Sequence, residues 1–142
     1  MNQRYPFQWP VRVYYEDTDA GGVVFYANYL KFYERARTEA LRSLGFQQEQ
    51  LRTEAKLLFV VSSINVSYKR PAKLDDELTV LVRIEKIART YLVFQQQIFC
   101  DDKLLSEAEV KVAAVSEQQM KPLAIPVEMR SALEQLAENS SV

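Results

Sequence analysis

Between Leu57 and Val115 the chain carries four successive stretches with the period of a β-strand, and only one long amphipathic helix precedes them. Leu58, Val60, Ile64, Val66 and Tyr68 share one parity, interrupted at Ser62. Leu78, Val80, Val82 and Ile84 alternate with Thr79, Arg83 and Glu85. Tyr91 to Cys100 is another β-rich run, and Ala108, Val110, Val112 and Ala114 oppose Glu107, Glu109 and Lys111. A period of two places alternate residues on one sheet face. Pro71, Asp75 and Asp76 mark a turn, and Asp101-Asp102-Lys103 reads as a tight hairpin. Short links between consecutive strands imply antiparallel pairing.

The helix is equally legible. Tyr29, Tyr33, Ala36, Ala40 and Leu44 recur three or four residues apart and make one face. Asn28 is the expected N-cap and Gly45 the residue that ends the helix. Arg35 with Glu39, and Glu34 with Arg37, are spaced to pair on the outer surface. Alanine at 36 and 40 lets a sheet approach closely. Val11 to Tyr15 reads as a short strand, with Pro10 just before it. Gln47 to Lys56 reads as a helical turn and loop, Val127 to Glu138 as a weaker helix, and 139–142 as a frayed end. One helix layered on an antiparallel sheet is an α+β architecture, expected as a single domain over 1–142. A lone sheet layer leaves edges to cover, which argues for oligomerisation.

Composition removes several chemistries. The chain has no histidine, which excludes Ser-His-Asp and Cys-His catalysis and histidine-ligated metal sites. Cys100 is the only cysteine, so there is no disulfide framework. No metal or cofactor is expected. The formal net charge of -1 provides no strong field for nucleic acid. Residues 1–10 lack the apolar core of a signal peptide, and no apolar run approaches the roughly 20 residues that span a bilayer. A soluble, cytoplasmic protein is the expectation.

The chemistry-bearing stretch lies between the first strand and the helix. Glu16, Asp17 and Asp19 are followed by Gly21-Gly22 and a small apolar run. In an extended segment Asp17 and Asp19 would point the same way, and paired carboxylates raise one another's pKa. The competing expectation is that Asp17 caps the turn and only Asp19 faces a site. Asp17-Thr18-Asp19-Ala20-Gly21-Gly22 partly matches a calcium loop. Gly21 replaces the third oxygen ligand, however, and Asn28 stands where a bidentate glutamate is needed. Gly21-Gly22 permits positive φ and close approach of a ligand to backbone. The amides from Val23 onward lead into a helix N-terminus, where unpaired donors can stabilise an oxyanion.

These residues resemble a known family. The segment Val11 to Val24, continued by Ala27-Asn28-Tyr29 and by Phe32 to Glu39, is similar to the YbgC-type acyl-CoA thioesterases. Those belong to the 4-hydroxybenzoyl-CoA thioesterase branch of the hotdog superfamily. The likeness extends more loosely through Tyr68-Lys69-Arg70-Pro71-Ala72, Leu74-Asp75-Asp76, Leu92-Val93-Phe94 and Lys121-Pro122. It implies a hotdog fold, a curved antiparallel sheet wrapped around one long central helix, with active sites between paired subunits in a homodimer or homotetramer.

The resemblance also implies roles. Asp19 matches the family's catalytic aspartate, acting as nucleophile or as general base. The Tyr26 amide matches the position that polarises the thioester carbonyl, and Tyr15 matches a tyrosine lining the site. Gly22 and Val23 shape the loop that meets the substrate. Lys69, Arg70, Arg89 and Lys121 are candidates for the phosphates of coenzyme A. YbgC-type members commonly carry histidine where this chain has Tyr26; the Val23-Val24-Phe25-Tyr26 form is similar instead to the 4-hydroxybenzoyl-CoA enzymes. The implied activity is hydrolysis of a short-chain or aromatic acyl-CoA to the acid and free coenzyme A. The alternative is a non-catalytic module that binds acyl thioesters or acyl carrier protein. A hotdog dehydratase would need a histidine that this chain lacks.

Overall fold

The structure is a computed structural model that describes residues 5–139. Of the fraying expected at 139–142, residues 140–142 lie outside the described residues, as do residues 1–4 of the signal-peptide reading over 1–10. In chain order the elements are β1 (Phe7–Arg12), α1 (Asn28–Ser43), α2 (Gln48–Ala55), β2 (Leu57–Tyr68), β3 (Glu77–Ile87), β4 (Tyr91–Cys100), β5 (Lys103–Ser116) and α3 (Val127–Asn139). The strands form one antiparallel sheet in the order β1-β3-β4-β5-β2. Consecutive strands pair from β3 to β5. β2 does not pair with β3; it crosses the sheet to lie beside β5 at the opposite edge from β1. Among the described residues no helix is long and apolar enough to cross a membrane.

The core lies where α1 packs on one face of the sheet. Phe32, Tyr33 and Ala36 are fully buried, with Tyr29 and Ala40 nearly so, against Leu78, Val80, Val82, Phe94, Ile98 and Val110. Period two fails at one point in β2. Leu57, Phe59 and Val61 stand opposite Ser116, Ala114 and Val112, whereas Ile64, Val66 and Tyr68 stand opposite Val110, Ala108 and Ser106. The register slips by one residue between Val61 and Ser63, so the inward face changes parity there. The single parity expected for Leu58 to Tyr68 is therefore corrected by a bulge.

Other corrections concern ends and charges. The first strand stops at Arg12, because Tyr15–Asp17 turns as a short 3-10 segment. Pro10 lies inside β1 rather than before it, which an edge strand tolerates. Asn28 is the first residue of α1, not its cap, which is Ala27. The expected surface pairs are replaced: Glu39 bonds Arg42, and Thr38 donates to Glu34. Arg37 turns inward and is 7% exposed, with Nη1 donating to Gln96 Oε1 at 3.0 Å. Gln96 Nε2 in turn donates to the Tyr33 carbonyl. Burial pushes the Arg37 guanidinium down to about 10, opposed by nearby Glu34. The C-terminus of α1 is as expected. Gly45, at φ 93°, donates to the Arg42 carbonyl and Phe46 to that of Leu41, the paired bonds of a glycine-terminated helix.

Candidate active site

The segment from Val13 to Asn28 is tied to the sheet before it enters α1. Val13 N–H donates to the Asp76 carbonyl, and Asp75 N–H returns a bond to Val13. Asp17 is 4% exposed, and its Oδ2 accepts from the Tyr14 N–H at 2.9 Å. The Asp17 carbonyl accepts twice more, from Phe25 N–H and from Asn28 Nδ2. Asp17 is thus the knot of this turn, as the capping expectation had it.

Asp19 is placed differently. Thr18 bridges Val24, and Asp19 N–H donates to the Val23 carbonyl, so 18–24 closes as a small hairpin. Gly22 N–H donates to the Asp19 carbonyl at 3.1 Å, and its φ of 77° turns the following chain back so that the Val23 carbonyl meets Asp19 N–H. Asp19 is exposed at the hairpin base. Its Oδ1 accepts from Gly21 N–H at 2.9 Å, and Oδ2 has no protein partner among the described residues. A carboxylate held by one oxygen and open at the other is oriented yet available to accept a proton or attack a carbonyl carbon.

The amides beyond the hairpin divide sharply. Val24 N–H is committed to the Ala72 carbonyl and Phe25 N–H to Asp17. Asn28, Tyr29 and Leu30 N–H groups donate back to Phe25, Tyr26 and Ala27. Among the described residues from Val24 to Leu30, the N–H groups of Tyr26 and Ala27 alone have no acceptor. They sit at the positive end of α1, where a developing oxyanion is favoured. Gly22 and Val23 serve the hairpin, with Leu74 N–H donating to Gly22 and Val23 bridging Lys73.

Aromatic rings surround this place. Tyr26 is 63% exposed, with Phe25 and Tyr68 less so, and Tyr26 meets Phe25 at 4.7 Å and Tyr68 at 6.2 Å between centroids. The Tyr68 hydroxyl donates to the Tyr26 carbonyl at 3.1 Å. The Tyr29 hydroxyl accepts from Ala72 N–H, and burial raises its pKa. Tyr68 was visible in the sequence as the last residue of a strand alternation and in a segment of looser family likeness. Nothing local marked its reach to residue 26. Tyr15 is 80% exposed, and its contribution to the turn is a carbonyl that accepts from Thr18.

The basic candidates disperse. Lys69 pairs with Glu107 at 3.7 Å, and Arg70 donates to the Leu104 carbonyl. Arg70 joins Lys73 and Lys103 around a cleft of about 340 Å³ that also holds Asp76, Asp101 and Asp102. Arg89 sits on the β3–β4 turn, at the sheet end away from Asp19, and Lys121 follows the far end of β5. One chain therefore does not gather Arg89 or Lys121 to the hairpin.

Comparison with known proteins identifies the family. The family described as the thioesterase superfamily matches residues 21–107. The chain is 48% identical over 130 residues to the acyl-CoA thioesterase YbgC of Haemophilus influenzae, covering 92% of this chain and 96% of that protein. It is 53% identical over 121 residues to an acyl-CoA thioester hydrolase YbgC of Escherichia coli, covering 84% and 90%. A crystal structure of a probable thioesterase from Bartonella henselae superposes with a TM-score of 0.80 at 35% identity, covering 84% of this chain and 98% of that one.

Proposed function

This chain belongs to the thioesterase superfamily and is an acyl-CoA thioesterase of the YbgC type, and from that premise we propose how it acts and on what. Asp19 serves as nucleophile or as general base on water, and the Tyr26 N–H receives the oxygen of the thioester carbonyl. The observation that carries this reading is the coincidence of one open carboxylate oxygen with unacceptored amides at a helix N-terminus. A thioester is an activated acyl group whose thiolate leaves readily. A single carboxylate and a preorganised donor suffice, without a histidine to protonate a poor leaving group. The substrate is a short-chain or aromatic acyl-CoA, an assignment supported by the exposed Phe25, Tyr26 and Tyr68 rings beside the hairpin.

The proposal extends to assembly. β2 is a twelve-residue edge strand whose Val61 and Ile64 are 49% and 38% exposed. A second copy of the chain pairing there covers the edge. Sedimentation is expected to show a dimer or tetramer; a stable monomer at micromolar concentration would remove this part. A cytoplasmic location is likewise proposed, and cell fractionation checks it.

The test is thiol release from short-chain, long-chain and aromatic acyl-CoAs, with Asp19→Asn alongside. Turnover that disappears in the variant supports the assignment, and turnover at the parental rate sinks it. Saturable binding of acyl-CoA or acyl carrier protein without turnover by the parent would favour a binding module, and would make Tyr26 in place of histidine the feature to explain.

A further inference from the structure

Two peptide groups meet at Tyr26, and each is held by a different part of the fold. The Phe25 carbonyl accepts from Asn28 N–H at 2.8 Å. In a trans peptide the N–H points opposite to the carbonyl, so the Tyr26 N–H is turned away from the helix. The Tyr26 carbonyl is held less firmly by the helix, since its bond from Tyr29 N–H is 3.3 Å, at the long end for such bonds. A second contact comes from another element. The hydroxyl of Tyr68, at the end of β2, donates to that carbonyl at 3.1 Å.

The tether is anchored at both ends. Tyr68 stands opposite Ser106 of β5, and Ser106 Oγ donates to the Ser67 carbonyl while accepting from the buried Tyr33 hydroxyl at 2.6 Å. The Tyr68 ring stands edge-on to both Tyr26 and Tyr29, at 6.2 and 5.2 Å between centroids. Burial, then the neighbouring Tyr29 and Tyr26, raise its pKa, so the hydroxyl remains a donor at neutral pH.

We infer that Tyr68 is a positioning residue: its hydroxyl holds the Tyr26–Ala27 peptide and, through the Tyr26 α-carbon, steadies the adjoining Phe25–Tyr26 peptide whose N–H stands ready for the thioester oxygen. The inference rests on the thioesterase mechanism above and assigns a role to a side chain outside it. An N–H that must meet charge arising only in the transition state is effective when it needs no reorganisation at that moment. Loosening it therefore lowers kcat and leaves KM nearly unchanged.

Tyr68→Phe tests this, because it keeps the ring and both edge contacts and removes only the hydroxyl. Loss of a whole oxyanion donor costs about 10²–10³ in kcat, and loss of its tether is expected to cost about tenfold, with KM within about twofold. A second readout separates positioning from folding. Benzoyl-CoA held unhydrolysed by Asp19→Asn is expected to show a lowered carbonyl stretching frequency in infrared difference spectra. Adding Tyr68→Phe is expected to return that frequency toward its value in water. A melting temperature and kcat that fall together, with the frequency unmoved, would assign Tyr68 to structure alone and overturn the inference. Unchanged kcat in Tyr68→Phe, with the parent active and Asp19→Asn inactive, overturns it while leaving the thioesterase mechanism standing. A parent that turns over no acyl-CoA defeats that mechanism, and the Tyr68 role falls with it.

Discussion

At its C-terminal end α1 runs onto Gly45 with the Leu41 and Arg42 carbonyls bonded, Leu41 buried and Arg37 drawn inward to Gln96. At its N-terminal end the same helix begins beneath exposed rings, with the Tyr26 and Ala27 amides free and Asp19 exposed nearby. One end turns its polar groups to holding the fold, and the other keeps an open carboxylate oxygen and two amides unmatched. The unmatched groups persist because the chain around them is over-determined. Asp17, the backbone bonds made between residues 14 and 25 and the Ala72 contact hold the turn without using Asp19 Oδ2 or the Tyr26 N–H. Active sites take this form because binding and catalysis need groups that folding has left available.

The contrast breaks first at Asp19. Asp19→Asn is expected to lower kcat by about 10³-fold with the melting temperature nearly unchanged, read by thiol release and thermal unfolding. A loss of stability comparable to the loss of activity would mean that Asp19 is only a turn residue. At the other end, Leu41→Ala is expected to destabilise by about 3 kcal/mol in denaturant titration, with kcat of the folded fraction kept. Asp17→Ala strips the Tyr14 N–H of its acceptor, and a cost of about 2 kcal/mol is expected. Its kcat should fall as well, because the same turn positions the hairpin. Gly45→Ala forces a side chain into the left-handed region at φ 93° and should cost about 1 kcal/mol without touching activity.

The smallest effect is one of pH. Burial raises Tyr29 and Tyr33 above the ordinary phenol value of 10.0, with Tyr33 shifted further. A neutral hydroxyl is favoured in the folded chain, so this stability is whole below about pH 10 and is lost as pH rises through the raised values. Absorbance titration of the eight tyrosines should show a late-ionising group that moves to ordinary values on unfolding, and Tyr33→Phe should remove its most retarded component.

Much of this was legible beforehand. The helix face, its stop at Gly45 and the strand character of β3, β4 and β5 follow from local periodicity and from glycine's φ. Asp19 and the Tyr26 amide were marked by the run from Glu16 to Asn28 and by its family resemblance. The structure places both in the open, Asp19 as an exposed carboxylate and Tyr26 as an amide without an acceptor. Three features were not legible. The parity change in β2 comes from a bulge that only the pairing with β5 reveals. Arg37 looked like one half of a surface pair, and only the position of Gln96 across the core explains its burial. Asn28 looked like a cap and instead reaches back to the Asp17 carbonyl.

The division has a physical cause. Sequence by itself determined what depends on neighbours along the chain: the helix, the hairpin turns, the alternation of strands, and a carboxylate followed by glycines and a helix start. Its lack of histidine also limited which chemistries were available. Tertiary structure decided what depends on contacts between distant residues. It set β2 beside β5 rather than β3, made Asp17 a structural knot while leaving Asp19 open, and carried the Tyr68 hydroxyl across forty-two positions to the Tyr26 carbonyl. Such contacts are fixed by the packing of the whole sheet on α1, and no local pattern encodes them.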